Sequence, residues 1–256
     1  GRAIGSREML DIREAEYGGE MLYINKSAHH PMWAMEYSRD EGLRKYWDEY
    51  SYPYHKEGAG PLYRGKDASD YNHNQDILAV ENIRRWFDYW QERPGTGTRI
   101  SSGGVKIIFS DTNTHFRGEE NYRRSGVTDA MRIPKDAFYA HQVMWDGWVD
   151  IEQPHIHIIG HWNYKEDVIK PVYVVSGADK VELFLNGKSL GEGEREYHFL
   201  YTFKDVQFET GKLEAIGYDE TGKECCRTEL QTAGKPEEIR LTFVQSPDGW
   251  KADGAD

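Results

Sequence analysis

His29-His30-Pro31-Met32-Trp33-Ala34-Met35-Glu36-Tyr37-Ser38-Arg39-Asp40 is the stretch whose pattern decides the fold. Four apolar residues, Met32 to Met35, lead to a single carboxylate, and the chain then breaks into charge. A buried parallel strand has this pattern when it carries a polar group to the mouth of a β/α barrel. Glu36 is therefore the first candidate for catalysis. On residue chemistry alone, a solvated glutamate at a strand end is the commoner explanation.

The chain around this stretch alternates between strand and helix patterns. Upstream, Met9-Leu10-Asp11-Ile12 is the best strand candidate before Gly18-Gly19. Downstream, residues 40 to 74 read as a long loop rich in Tyr, Gly and Asp. Tyr50, Tyr52, Tyr54, His55 and Tyr63 could line a cleft or simply pack over it. Ile77, Val80, Ile83, Phe87 and Trp90 then recur at helical spacing, with Glu81, Arg84 and Asp88 between them and Pro94-Gly95 as a stop. Ser101-Ser102-Gly103-Gly104 leads into a predicted strand, Val105 to Asp111. No Gly-Lys-Ser/Thr follows, and the order is loop to strand, so a phosphate cradle is excluded. Arg132-Ile133-Pro134-Lys135-Asp136 opens a second helix whose apolar side is Ala137, Phe138, His141, Met144, Trp145 and Trp148. Strand, helix, strand, helix up to about residue 150 reads as two or three units of a (β/α) barrel.

Beyond residue 155 the period changes to that of short strands. Val172 to Val175, Val181 to Leu185 and Leu213 to Ile216 alternate with turns at Asn186-Gly187 and Asp219-Glu220-Thr221-Gly222. That density of strands and turns suits an immunoglobulin-like sandwich.

Composition narrows the functional classes. Aromatic residues make up 13% of the chain although apolar residues reach only 38%, which fits a folded protein with a ring-rich surface or cleft. Such a surface suits sugar faces, but ordinary core packing claims most of the rings. A formal net charge of -12 argues against nucleic acid as a partner. No run approaches the length of a membrane span, so no membrane partner is expected. Cys225 and Cys226 are the only cysteines. On a regular strand they point to opposite faces, which argues against a disulfide between them and leaves the redox compartment open. His155, His157 and His161 have spacing that would put the first two on one face of a strand, as a metal pair requires. With no Cys or nearby carboxylate in sequence to complete a set, they read as junction histidines, and neither metal nor cofactor is expected. Asp111, Glu14 and Glu16 are possible second carboxylates and equally solvated strand ends.

Met35-Glu36-Tyr37-Ser38-Arg39-Asp40, followed by Lys45-Tyr46-Trp47-Asp48-Glu49-Tyr50, resembles the seventh barrel strand and following loop of glycoside hydrolase family 2, the β-galactosidase and β-glucuronidase family. His161-Trp162-Asn163-Tyr164 and the run from Ala178 through Leu183-Phe184-Leu185-Asn186-Gly187 to Gly191 resemble the sandwich that follows that barrel. The resemblance implies an α/β plus all-β chain. Residues 1–152 would be the C-terminal part of a (β/α)8 TIM barrel and 153–243 an immunoglobulin-like β-sandwich, with 244–256 a linker or the start of a further sandwich. It implies that Glu36 is the nucleophile and that Tyr17 on the sixth strand lies near the cleft. Of the adjacent His29 and His30, the candidate His30 either reaches a sugar hydroxyl at the cleft or belongs to a polar strand start. Phe109 and Asp111, at the exit of the eighth strand, would bind substrate or orient the nucleophile.

Retaining hydrolysis needs a second carboxyl group about 5 Å from the nucleophile. In the family this acid/base belongs to an Asn-Glu pair on the fourth strand, and the sequence contains no Asn-Glu dipeptide. The acid/base is therefore expected outside this chain, and the partners expected are a glycan or oligosaccharide substrate and the remainder of the same enzyme. The activity implied is that of a retaining exo-β-glycosidase, with β-galactosides first and β-glucuronides or β-mannosides as alternatives. A glucuronide needs a cation for its carboxylate, and no Lys or Arg stands out in sequence. The rival from another class is a non-catalytic carbohydrate-binding or scaffold module.

Overall fold

A computed structural model describes residues 4–5, 17–20, 31–37, 76–91, 100–106, 109–112, 126–150, 152–235 and 237–242. The N-terminal layer is a parallel sheet of β1 (Ile4–Gly5), β2 (Tyr17–Glu20), β3 (Pro31–Tyr37) and β4 (Ile100–Lys106), in spatial order β1-β2-β3-β4. Its three interfaces are parallel, with Gly18 opposite Met32 and Pro31 opposite Ile100. Parallel neighbours need a long crossover, and between β3 and β4 that crossover contains helix α1, Asp76–Gln91. Pro31 occupies the first position of its strand, where a missing N–H is tolerated. Closure of such a sheet into a barrel lies outside the described residues.

One sequence expectation shifts here. The strand expected at Val105–Asp111 begins earlier, at Ile100, and includes Ser101-Ser102-Gly103-Gly104. Pairing with β3 outweighs the weak strand preference of glycine, because sheet propensity reflects context more than backbone. Met9–Ile12 and the Tyr-rich loop lie outside the described residues.

Helix α1 buries Leu78, Ala79, Val80, Ile83 and Trp86. Helix α2, Asp136–Val149, starts after Pro134, with Lys135 as its N-cap and Asp136 in its first turn, where a carboxylate suits the dipole. Ala137, Ala140, Val143 and Met144 form its buried stripe at helical spacing. Trp145, expected on that stripe, lies a hundred degrees round from Met144 and is 59% exposed.

From Ile156 the chain forms a sandwich of two four-stranded antiparallel sheets, β5-β6-β10-β9 and β12-β11-β7-β8. The strands are β5 (Ile156–Ile159), β6 (Ile169–Ser176), β7 (Lys180–Leu185), β8 (Lys188–Glu192), β9 (Glu194–Glu196), β10 (Leu200–Gln207), β11 (Lys212–Tyr218) and β12 (Glu224–Gln231). The three strands and two turns expected from sequence are all present. Asn186 and Gly187 both have positive φ, 51° and 79°, so their two-residue turn has the handedness that matches strand twist. Between the sheets lie Trp162, Val172, Val174, Val181, Leu183, Tyr201, Phe203, Leu213 and Ala215. The polar handles of the large rings are satisfied: Trp162 Nε1 donates to Glu209 O at 2.9 Å, and Tyr201 Oη to Ala178 O at 2.5 Å. Burial pushes the Tyr201 phenol up to about 12.

The first sheet is covered on its other face as well. Ile159, Val175, Phe199 and Leu200 pack with α1 and α2 in a second cluster. Phe199 meets Trp86 edge to face at 6.0 Å. Gly147 lets α2 approach it, since a Cβ there would fall 2.5 Å from Phe199 Cε1.

Two outcomes follow for stability. Gly147→Ala forces Phe199 or α2 aside and lowers stability by about 1–3 kcal/mol, read as a lower midpoint in urea. At the β11–β12 turn, Asp219 Oδ1 accepts from the Thr221 N–H and hydroxyl and from Lys223 N. These bonds, the Thr221 hydroxyl first, hold its pKa below the ordinary carboxylate value. A depressed carboxyl contributes stability above its unfolded pKa and loses it as pH falls through the folded one. The stability gap between wild type and Asp219→Asn is therefore widest near neutrality and closes in acid, as denaturation curves at several pH values would measure.

Candidate functional site

Glu36 is the sixth residue of β3, an inner strand paired with β2 on one side and β4 on the other. The pairing with β4 is irregular at this point. Ala34 pairs with Gly104 and Tyr37 with Lys106, so β3 takes three steps where β4 takes two. Glu36 thus lies within a bulge, a feature that bends a strand and re-aims its residues. Lys106 ends β4 at the same level.

The chain leaves β4 through Phe109-Ser110-Asp111-Thr112, and this segment is tied to residues 126–135. Ser110 bridges to Thr128, which bridges in turn to Pro134. Asp111 N donates to Thr128 O at 3.0 Å, and Thr128 N to Phe109 O at 2.9 Å. The Asp111 carboxylate, 5% exposed, accepts from Lys135 Nζ at 3.0 and 3.1 Å and from Gly126 N at 2.9 Å. Gly126 permits this, because a Cβ there would fall 2.4 Å from Asp111 N. Phe109 is 60% exposed.

Glu36, Lys106 and, a few residues further on, Phe109 and Asp111 therefore gather toward the C-terminal end of the parallel sheet. Tyr17 does not. It precedes Gly18, the partner of Met32, and so lies about five positions from the level of Glu36. At ~3.3 Å per residue this is roughly 16 Å toward the other end of the strands. His30 lies outside the described residues, as do Glu14 and Glu16. Lys135 was legible in the sequence only as a helix opener. Its ion pair spans 24 residues, and no local pattern announces it.

The histidines have tertiary partners that sequence spacing does not reveal. His157 Nε2 lies 2.8 Å from Asp136 Oδ1, and its ring stacks on Tyr139 at 4.6 Å. His155 Nε2 lies 3.4 Å from Asp146 Oδ2, and His161 stacks on Tyr164 at 4.4 Å. Both carboxylates come from α2, so His155 and His157 sit at the junction of helices and sandwich. Among the described residues, no group of three or more His, Cys, Asp or Glu is placed to hold a metal.

Comparison with known proteins agrees with this architecture. Residues 167–226 match a family described as a domain of unknown function, DUF4982. A β-glucuronidase of Formosa agariphila is 35% identical over 234 residues, 88% of this chain and 22% of that protein. The β-galactosidase BoGH2A of Bacteroides ovatus is 37% identical over 119 residues, 46% of this chain and 13% of that protein. A solved β-glucuronidase structure from glycoside hydrolase family 2 superposes over 94% of this chain and 24% of its own, with a TM-score of 0.67 and 31% identity. The parallel strand-and-helix layer and the antiparallel sandwich that follows it are thus shared, over most of this chain, with a solved family 2 structure. The chain belongs to glycoside hydrolase family 2. It spans less than a quarter of the length of each of these relatives.

The Asp111–Lys135 pair can be tested directly. Lys135→Met removes the cation facing both carboxylate oxygens of a buried aspartate and lowers stability by about 3 kcal/mol. The Asp111→Asn/Lys135→Met double variant recovers part of that loss, as a double-mutant cycle in denaturant would measure.

Proposed function

We propose that this chain is the C-terminal barrel part and following sandwich of a retaining exo-β-glycosidase, residues 1–152 and 153–243 respectively, with β-glucuronides as its substrates ahead of β-galactosides. The observation that carries the reading is Glu36 in a bulge near the C-terminal end of an inner parallel strand. In barrel enzymes that end of the sheet is where chemistry sits. The sugar preference follows the relatives, since the long match is to a β-glucuronidase and the β-galactosidase match covers half as much of the chain. This reverses the order expected from sequence.

In the proposed reaction Glu36 attacks the anomeric carbon while an acid outside this chain protonates the leaving oxygen. The glycosyl ester is then opened by water, activated by the same outside group acting as base. The exposed ring of Phe109 offers an apolar face to a sugar, and His30 a polar contact. Asp111, engaged by Lys135 and Gly126, serves as a positioning residue that fixes the β4 exit rather than as a contact to substrate. Tyr17 lies at the far end of the strands and takes no part. The partners of the chain are a glycan and the remainder of the same enzyme.

The test uses the full-length protein with activated 2-deoxy-2-fluoro glycosides of glucuronic acid and of galactose, followed by peptide mapping. An adduct on Glu36 from the glucuronide is expected, together with a loss of kcat in Glu36→Gln of about 10³-fold, or ~4 kcal/mol of barrier. Labelling elsewhere, or near-normal turnover by Glu36→Gln, would overturn the assignment. Faster labelling by the galactoside would overturn only the sugar preference.

A further inference from the structure

Cys225 and Cys226 are the only cysteines in the sequence, and on a regular strand their side chains would point to opposite faces. The structure departs from that expectation. On β12, Cys226 pairs with Gly217, but the next partner, Tyr218, pairs with Glu224. Cys225 is the extra residue of a bulge. Both side chains consequently pack against the same apolar cluster, and their sulfurs lie 3.9 Å apart. Both are free and half-buried, on the outer strand of its sheet. Cys226 Sγ also lies 3.7 Å from Ser176 Oγ.

The geometry favours bridging over bonding. Adjacent residues have Cα atoms 3.80 Å apart, closer than the usual span of a disulfide, so a bond between these sulfurs would be strained. Disulfide exchange also requires a thiolate. Burial raises both thiol pKa values, that of Cys226 to about 12, so the pair is protonated at neutral pH. A trivalent centre carrying hydroxyl groups has neither limitation. Condensation breaks an As–O bond, forms an As–S bond and sends the thiol proton out on the departing hydroxyl as water. Two such steps bind both sulfurs with no change in oxidation state.

We propose that Cys225 and Cys226 form a chelating dithiol site for a trivalent thiophilic metalloid with two exchangeable hydroxyls, a monosubstituted arsenical being the class that fits. The site is independent of the glycosidase chemistry, since it lies on the sandwich.

The test is incubation of the full chain with phenylarsine oxide, then intact mass and peptide mapping. One phenylarsenic unit bridging Cys225 and Cys226 is expected, resistant to washing with excess glutathione and released by a dithiol such as dimercaptopropanol. Cys225→Ser and Cys226→Ser should each lose retention at least tenfold, because one thiol cannot chelate. The contrast between glutathione and dimercaptopropanol needs no variant and stands even where a substitution disturbs folding. Absence of an adduct, or an adduct that glutathione removes from the wild type as readily as from the single variants, overturns the proposal.

Discussion

The structure depends on a sheet that is buried on both faces. In β6, Val172 and Val174 face the sandwich interior while Val175 belongs to the cluster formed with α1 and α2, with Tyr173 packed against it. Side chains alternate across a strand, so one continuous apolar run serves two cores. β10 does the same, with Leu200 toward the helices and Tyr201 and Phe203 toward the sandwich. Neither core can loosen independently, because the same backbone carries the walls of both. Helices and sandwich form one packed body for this reason, and the close approach at Gly147 is part of what sets their spacing.

Polar contacts extend that body toward the parallel sheet. The Asp136 carboxylate accepts from Gly160 N at 3.0 Å and meets His157, joining the first turn of α2 to the end of β5. One residue earlier, Lys135 holds Asp111 at the exit of β4. Two adjacent residues of opposite charge thus connect α2 with the sandwich on one side and with the segment leaving β4 on the other. A buried carboxylate costs too much to leave uncompensated, so the ion pair constrains where that segment runs. The constraint is transmitted by short, stiff contacts and needs no mobile element.

The sandwich was the most legible part of the chain. Its strands carry the two-residue period, and Asn186-Gly187 encodes the turn directly. β12 was harder to read, because Glu224-Cys225-Cys226-Arg227-Thr228-Glu229 is polar and lies at a sheet edge, where the apolar alternation is weak. In β10 one extra residue between Phe203 and Val206 breaks the period, and Asp205 adopts a φ of 53° to absorb it. Helix positions were legible to within a residue or two. Sequence alone puts Trp145 on the buried stripe because its apolarity outweighs its angle around the helix, whereas it is exposed. At the candidate site, sequence pointed to Glu36 and to the segment after Phe109, but not to Lys135 or Gly126, whose roles exist only across long separations.

Bulges interrupt the two-residue period at two places that bear on chemistry. At Glu36 the extra step in β3 interrupts the alternation that would otherwise fix the residue's face from Ala34. At Cys225 an extra residue in β12 cancels the alternation that separates neighbouring side chains and brings two sulfurs together. At Cys225 the sequence period predicts one placement and the ladder register gives another. Register also separates Tyr17 from Glu36, although both occupy adjacent parallel strands. A strand pattern tells which residues alternate, whereas only pairing tells which lie level, and shared chemistry requires residues to lie level. For this chain the position of a residue along its ladder is therefore a stricter filter on site membership than its type or its neighbours in sequence.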